Sequence, residues 1–356
     1  MTQTLSPAQT SDDRKTGVAA WHARIRRAVH AASRPESWKR GLVLAALALL
    51  LGLTMLLHAW IPNRGLGNLG SLVESLLPWF GVFVPLLLAA ALWRRSASAT
   101  AALLLPVVAW VYLFGGLLGD RSQSGGDLTV AEQNVYAENT DPAGTARDLA
   151  AHGADVLALV ALTPEATPLY VQALASRYPF HTVQGTVGLW SRFPLSDTRP
   201  IDVVDYGPLG ATKPSDAKLA VNRALRTTVT TDRGPLTVYV AHLGSVRVLP
   251  AKGFWTESRN LGAQALGRAL AADPSPRVLL LGDLNGTLDD RALAGLTTQL
   301  HSAQDAAGDG FGFTWPAAFP MVRIDQIMVR GIRPESSRVL AANGSDHRPV
   351  TAALSW

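Results

Sequence analysis

Three long apolar runs in the first third of the chain restrict its architecture more than any other feature. Gly41 to Ile61 reads GLVLAALALLLGLTMLLHAWI, 21 residues without a formal charge. At about 1.5 Å of rise per residue, a helix of that length crosses a hydrocarbon core of roughly 30 Å. Leu76 to Trp93 is a second run of 18 residues. Its Pro78 and Pro85 are tolerable in a membrane helix where neighbouring helices cover the freed carbonyls. The third runs from about Ala99 to Leu118, and Trp60, Trp79, Trp93, Trp110 and Tyr112 lie mostly near run ends, where interfacial aromatics belong. The first run is too long for the apolar core of a signal peptide, and no small-residue cleavage site follows it. The other two lack the polar stripe of a helix packed on a soluble core. Three transmembrane helices are expected, at about 41–61, 76–93 and 99–118.

The charges give these spans a direction. Arg14, Lys15, Arg24, Arg26, Arg27, Arg34, Lys39 and Arg40 precede the first run, Arg94 and Arg95 separate the second from the third, and the loop between runs one and two holds only Arg64. The positive-inside rule puts residues 1–40, a basic segment, in the cytoplasm. Everything after Asp120 then lies outside a cytoplasmic membrane that the chain crosses several times. Within the basic segment, WHARIRRAVH (Trp21 to His30) reads as a solvated topogenic tail rather than an interfacial helix. GLGNLG at Gly65 to Gly70 matches G-x-G-x-x-G, but without a preceding strand or a βαβ unit it is no dinucleotide site.

The excess of positive charge stays with the front of the chain. Residues 1–126 carry 12 Lys and Arg against 5 Asp and Glu, whereas residues 127–356 carry 20 against 22. A nucleic-acid-binding domain is expected to show its own basic patch. The balance therefore weighs against nucleic acid as a partner, leaving only local patches around Arg223–Arg226 or Arg247–Lys252. The chain has no cysteine, which excludes disulfides, thiolate metal sites and cysteine nucleophiles.

After a short linker (residues 121–126, ending SQSGG) the pattern changes to brief apolar strands. Strands are expected at Leu128–Val130, Val156–Val160, Gly188–Ser191, Leu225–Thr230, Leu236–Val240, Val278–Leu281, Ile324–Val329 and Val350–Leu354. Helices are expected at Pro142–Ala151, Pro164–Tyr178 and Glu257–Ala271. Strands clustered with interspersed helices over residues 127–356 describe one layered α/β domain. What distinguishes it is the polar residues at its strand ends: Asn134 after the first, His242 after Val240, Asp283 and Asn285 in GDLN after Leu281, Asp325 in RIDQIMV, and Asp346 and His347 in SDHRPV before the last. Loops after strand carboxyl ends are where a sheet presents chemistry. Each residue alone has an ordinary explanation as a turn, cap or structural histidine.

Taken in order, NV, HLGS, GDLN, RIDQI and SDHRPV resemble the endonuclease/exonuclease/phosphatase superfamily across essentially all of residues 127–356. The resemblance implies a four-layer α/β sandwich, two packed mixed sheets flanked by helices, here preceded by a three-helix transmembrane region. It implies His347 as general base, Asp325 fixing its tautomer, Asp283 orienting the attacking water, and Asn285 with His242 holding phosphate oxygens. It also implies a magnesium site, with manganese as an alternative, using Asn134 and Asp346. Ser245 beside His242 offers a serine hydrolase instead, but no nucleophile elbow supports one. The sequons at Asn285 and Asn343 fall inside this site and are read as coincidental.

Position 161 departs from the pattern. Family members deliver a metal-binding glutamate there, whereas this chain has Ala161, and Glu165 is no obvious replacement. Three readings compete: an engineered inactivating change, a natural phosphate-binding pseudoenzyme, or recruitment of another carboxylate such as Glu132 or Glu138. The integrity of every other motif favours the first. The three-helix anchor is similar to the membrane-bound actinobacterial branch that includes VanJ-type teicoplanin-resistance proteins. That similarity implies a lipid-linked phosphate such as undecaprenyl pyrophosphate as substrate, handled at the outer leaflet during cell-wall synthesis. An aromatic segment, GFGFTWPAAFP (Gly310 to Pro320), is either a lip against lipid or a loop packed on the core. An extracellular nuclease and a silent phosphate-binding membrane protein are the alternatives. The sequence points to no protein partner.

Overall fold

A computed structural model describes residues 35–63, 67–203 and 222–356. Most of the lysines and arginines that set the expected orientation, those up to Arg34 and Arg64, lie outside the described residues, as does the Trp21 to His30 segment. Two compact units form: Met1–His58 with Pro78–Leu113, and Ala59–Leu77 with Phe114–Trp356.

In the first unit, helices Leu42–Leu56, Phe83–Trp93, Ala97–Ala102 and Leu104–Phe114 consist almost wholly of apolar residues. Glycine sets how closely they approach. A Cβ on Gly52 would lie 2.6 Å from the Leu105 side chain, and one on Gly81 would lie 2.3 Å from the Trp110 ring. Large apolar side chains such as Leu50, Leu86 and Val108 stay mostly exposed. Two helical stretches are long and apolar enough to cross a membrane, Leu69–Trp93 and Ala97–Leu117. The first apolar run differs from expectation: its α-helix spans Leu42–Leu56, 15 residues, and a 3₁₀ turn follows at His58–Trp60. At 1.5 Å per residue it covers only about 22 Å. The second stretch starts at Leu69 rather than Leu76.

The second unit contains two six-stranded sheets. The first is built from β1 (Leu128–Asn134), β2 (Val156–Val160), β3 (Phe180–Gln184), β4 (Val187–Ser191), β13 (Arg333–Val339) and β14 (Val350–Ser355), in the order β13-β14-β1-β2-β4-β3. The second uses β5 (Leu195–Pro200), β6 (Ala224–Thr231), β7 (Gly234–His242), β10 (Val278–Asp283), β11 (His301–Ser302) and β12 (Asp325–Arg330), in the order β11-β12-β10-β7-β6-β5. A small hairpin, β8 (Arg247–Leu249) and β9 (Gly253–Trp255), stands apart.

Each sheet has a parallel pair joined through a helical crossover: β1 and β2 through Pro142–Ala151, β7 and β10 through Glu257–Ala272. Asp141 caps the first of these helices by accepting from the Gly144 amide at 2.8 Å, with Pro142 in the first turn. The sheets face each other across a dry core that includes Val130, Ala158, Val238, Leu279, Leu281, Ile327 and Ala352. Helix Glu257–Ala272 covers the outer face of the second sheet through Leu266 and Leu270. Helices Pro142–Ala151 and Thr167–Leu174 cover the first through Leu149, Tyr170 and Leu174. Two mixed sheets flanked by helices are thus the architecture that the motif order implies.

Alternation within this core explains the polar residues. Inward positions recur every second residue along a strand. On β7 they are Leu236, Val238, Val240 and then His242; on β10, Leu279, Leu281 and then Asp283; on β1, Leu128, Val130, Glu132 and then Asn134. The polar residues are therefore the last residues of their strands rather than loop residues beyond them, and they sit at one end of the inter-sheet space.

Candidate active site

Strand register assembles the first row of the site. Asp283 on β10 lies opposite His242 on β7 and opposite Asp325 on β12, so the three stand side by side across the second sheet. Gly282 makes this pairing possible: with φ +145°, a Cβ there would lie 1.9 Å from the Ala241 carbonyl oxygen. Asn134 arrives from the end of β1 in the facing sheet, and its Nδ2 donates to Asp283 Oδ2 at 2.9 Å.

The loop before β14 brings the second row. Ser345 Oγ donates to the Asn134 carbonyl and accepts from the His347 amide at 3.1 Å. Gln133 Nε2 donates to the His347 carbonyl at 3.0 Å. These bonds hold His347 Nδ1 against both Asp325 carboxylate oxygens, at 2.9 and 3.0 Å, with Nε2 3.9 Å from Asp283 Oδ2. His242 Nε2 lies 3.6 Å from the same oxygen.

The electrostatics follow from crowding charges in a dry site. Burial pushes the Asp283 carboxyl up, and with Asp325 beside it the pKa reaches about 6. Burial disfavours the His347 imidazolium, but Asp325, Asp283 and Asp346 outweigh it and bring the pKa to about 9. His242 goes the other way: burial, the Arg223 guanidinium and His347 all drive it well below the ordinary histidine value. One buried histidine is held protonated and the other neutral, within reach of one carboxylate.

Every residue expected in the site is found around one cavity or directly beneath it. A cavity of about 570 Å³ is lined by Asn134, His242, Asp283, Asn285, Asp346 and His347, and Ala161 lines it too. Asp325 stands behind His347. Asn285 differs from its expected role, because its Nδ2 is engaged inside the protein, donating to the Leu243 carbonyl at 3.0 Å and to Asp283 Oδ2 at 3.1 Å. It therefore orients Asp283 rather than offering its amide to the cavity. Of the carboxylates considered as substitutes for a glutamate at position 161, Glu138 is exposed and bonded to the Tyr136 hydroxyl, and Glu165 is exposed. Glu132 is fully buried, and neither of its carboxylate oxygens has a hydrogen-bond partner. Burial, Asp325 and Asp283 push it well above the usual carboxylate range.

Sequence reasoning misses part of the lining. Arg223 faces the cavity while its Nε donates to the His242 carbonyl at 3.0 Å; in the sequence it reads only as part of a local basic patch. Leu72, Ser75 and Leu76 come from the helix Leu69–Leu76, far from the motifs in sequence. The aromatic segment divides: Phe311 stacks on Phe313 and packs on Phe114, whereas Trp315 lines the cavity and Phe319 is exposed.

The donors suit a hard divalent cation. Asp283, Asp325 and His347 place ligand atoms within 4.8 Å of one another, but the bond to His347 occupies Asp325. That leaves Asp283 and Asp346, whose Oδ1 is buried without a hydrogen-bond partner, while the Asn134 side-chain oxygen accepts from the Tyr136 amide at 3.0 Å and has one lone pair to offer. A carboxylate and an orphaned carboxylate oxygen lining one cavity suit magnesium, which keeps several waters and needs few protein ligands.

Such a fold and site define the class of metal-dependent phosphoesterases and nucleases. Residues 131–347 match the model of the endonuclease/exonuclease/phosphatase family, more than half of the chain, and the chain belongs to that family. Solved structures with a similar fold include sphingomyelinase C from Streptomyces griseocarneus, at 20% identity and TM-score 0.50, covering 65% of this chain and 99% of that one. Another is a beta toxin double mutant from Staphylococcus aureus with bound magnesium ions, at 14% identity and TM-score 0.52, covering 64% and 99%. A third is a mannosyl-6-phosphatase from Bacteroides thetaiotaomicron, at 16% identity and TM-score 0.50, covering 65% and 100%. No curated protein sequence matches the chain.

Proposed function

We propose that the chain is a membrane-anchored, magnesium-dependent phosphoester or pyrophosphate hydrolase. Its substrate is a lipid-linked phosphate, such as a polyprenyl pyrophosphate of cell-wall synthesis, met at the outer leaflet as in the VanJ-type branch it resembles. One observation carries this reading: the cavity that gathers His242, Asp283, Asn134 and His347 is also lined by Leu72, Leu76, Val246, Phe254 and Ile324. Phosphate chemistry and hydrocarbon-compatible surface share one space. Two stretches long and apolar enough to span a bilayer support a membrane setting; with the first apolar run as a third crossing, the basic front of the chain supports placing residues after Asp120 outside.

Asp283, Asn134 and Asp346 would hold magnesium, which supplies positive charge to the phosphoryl oxygens. The chain's own residues do the rest. Asp325 fixes His347 with Nε2 toward the cavity, and once the charge of a bound cation has displaced the proton that the ring otherwise holds, the neutral ring can take one from the attacking water. Asn134 and Asn285 orient the Asp283 carboxylate toward that water. Neutral His242 donates from Nε2 to a phosphoryl oxygen, and Arg223 adds charge on the same side.

Phosphate release from a polyprenyl pyrophosphate in detergent, run beside plasmid nicking and with and without chelator, tests the reading. Chelator-sensitive release without nicking is expected. Nicking alone would make the chain a nuclease. Ala161 favours one further reading, a catalytically silent phosphate-binding membrane protein, for which both assays stay blank while phosphate binding persists.

A further inference from the structure

The helix Leu69–Leu76 belongs to the site more closely than its place in the sequence suggests. Leu72, Ser75 and Leu76 form one wall of the cavity that holds His242 and His347. The helix is fixed there by buried polar bonds. Glu74 is fully buried and meets Arg291 at 2.8 Å, and its Oε2 accepts from the Arg291 amide at 3.2 Å. The Glu74 carbonyl accepts from the Leu77 amide at the end of the helix, and Thr287 Oγ1 reaches the same oxygen at 3.4 Å. Ser71 Oγ donates to Asp290, whose other oxygen meets Arg259 at 2.7 Å with both side chains buried, and Arg259 Nη1 reaches the Asn285 carbonyl at 3.4 Å. A continuous chain of contacts thus sets the wall relative to the loop bearing Asn285.

Two features of the wall point to its occupant. It is apolar next to a phosphate-handling row, and Val248 at its margin is 80% exposed, an apolar tip without protein cover. The chain also runs from this helix directly into the rest of the apolar stretch Leu69–Trp93. A hydrocarbon chain bonded to a phosphate satisfies both.

We propose that Leu72 and Leu76 are specificity-determining residues, reading the hydrocarbon portion of a phosphorylated amphiphile while the row His242–Asp283 takes its phosphate. This rests on the phosphoester reading above and adds which residues select the substrate. Ser75 lines the same wall.

Calorimetric binding to the full chain in detergent, with magnesium present, tests the assignment using farnesyl phosphate and isopentenyl phosphate as long and short probes. The wild type should bind farnesyl phosphate at least about ten-fold tighter. The double variant Leu72→Ser, Leu76→Ser should lose most of that preference and hold isopentenyl phosphate within about two-fold of wild type. A second variant, Leu76→Trp, adds bulk to the wall and should also weaken only the long probe. Retained binding of the short probe shows that each variant is folded. Equal affinities for both probes in the wild type, or equal losses for both in either variant, would overturn the wall's role and leave the phosphate site standing. Failure of the wild type to bind either probe would overturn the phosphate reading and this inference together.

Discussion

Asp325 grips His347 Nδ1 with both carboxylate oxygens, at 2.9 and 3.0 Å, and the pair is almost completely buried. The bond does two things. It fixes the ring with Nε2 toward Asp283, and it helps to raise the ring's pKa to about 9.

The raised value makes stability depend on pH with a definite sign. A histidine whose pKa rises on folding stabilises fully below its unfolded value of 6.5, and that contribution disappears as pH climbs through about 9. Chemical denaturation of the metal-free protein should therefore show falling stability between these pH values. Asp325→Asn should flatten the slope and, in the active enzyme, lower kcat by about two to four orders of magnitude. An unchanged slope in the variant would show that Asp325 does not hold the proton.

Cation binding should expel that proton. Positive charge placed among Asp283, Asp346 and Asn134 opposes the imidazolium and lowers its pKa toward neutrality. Magnesium titrated at pH 8 in buffers of differing ionisation enthalpy should show net proton release, and His347→Gln should abolish it. Binding without proton release would place the cation elsewhere.

Ala161 lines the cavity where the family places a carboxylate, and its backbone is left-handed at φ +63°. A glutamate there meets the same backbone cost as the alanine, so the substitution tests chemistry rather than folding. Ala161→Glu should tighten magnesium binding and raise magnesium-dependent phosphate release by at least about ten-fold, as adding an anionic ligand to a hard cation should. Equal activity of the two proteins would mean that the site does not need this carboxylate.

Glu132 occupies an inward position on β1 with the alternation of Val130 and Asn134, yet both its oxygens lack partners. A buried polar group left unsatisfied costs about 1–3 kcal/mol. Glu132→Leu removes both partnerless oxygens at similar volume and should raise the unfolding free energy of the metal-free protein by roughly that amount. Destabilisation would show that the carboxylate has a partner in solution, such as a buried water or ion.

How far these features can be read in advance depends on how local they are. His242, Asp283 and Asp325 stand out because each breaks an apolar strand pattern, and those strands are largely buried on both faces; Asn134 follows Glu132 and Gln133 and stands out only through the order of the motifs. Edge strands carry no such signal: β13 reads RPESSRV and β3 reads FHTVQ, polar runs that pair on one side only. Helix Thr167–Leu174 begins later than Pro164 because residues 164–166 form a turn first. Ala59–Leu77 joins the unit that holds the sheets, and nothing local announces it. Hydropathy merges Leu69–Leu76 with the apolar residues that follow, while its partners lie more than two hundred residues away in Arg291 and Asp290.

Those long-range partners make the last prediction a sharp one. Glu74 is fully buried, whereas the Arg291 side chain keeps 32% of its exposure, so removing the acid strands a cation that water can partly reach. Breaking a fully buried pair costs about 3–5 kcal/mol, and partial solvation of the survivor reduces this to about 2 kcal/mol. Glu74→Ala should therefore destabilise the chain by that amount, measured by denaturant unfolding, and Arg291→Ala alone should cost more because it leaves the buried carboxylate uncompensated. The double variant should lose less than the sum of the two, since neither charge is then orphaned. Additive losses would mean that the helix is held by its leucines alone.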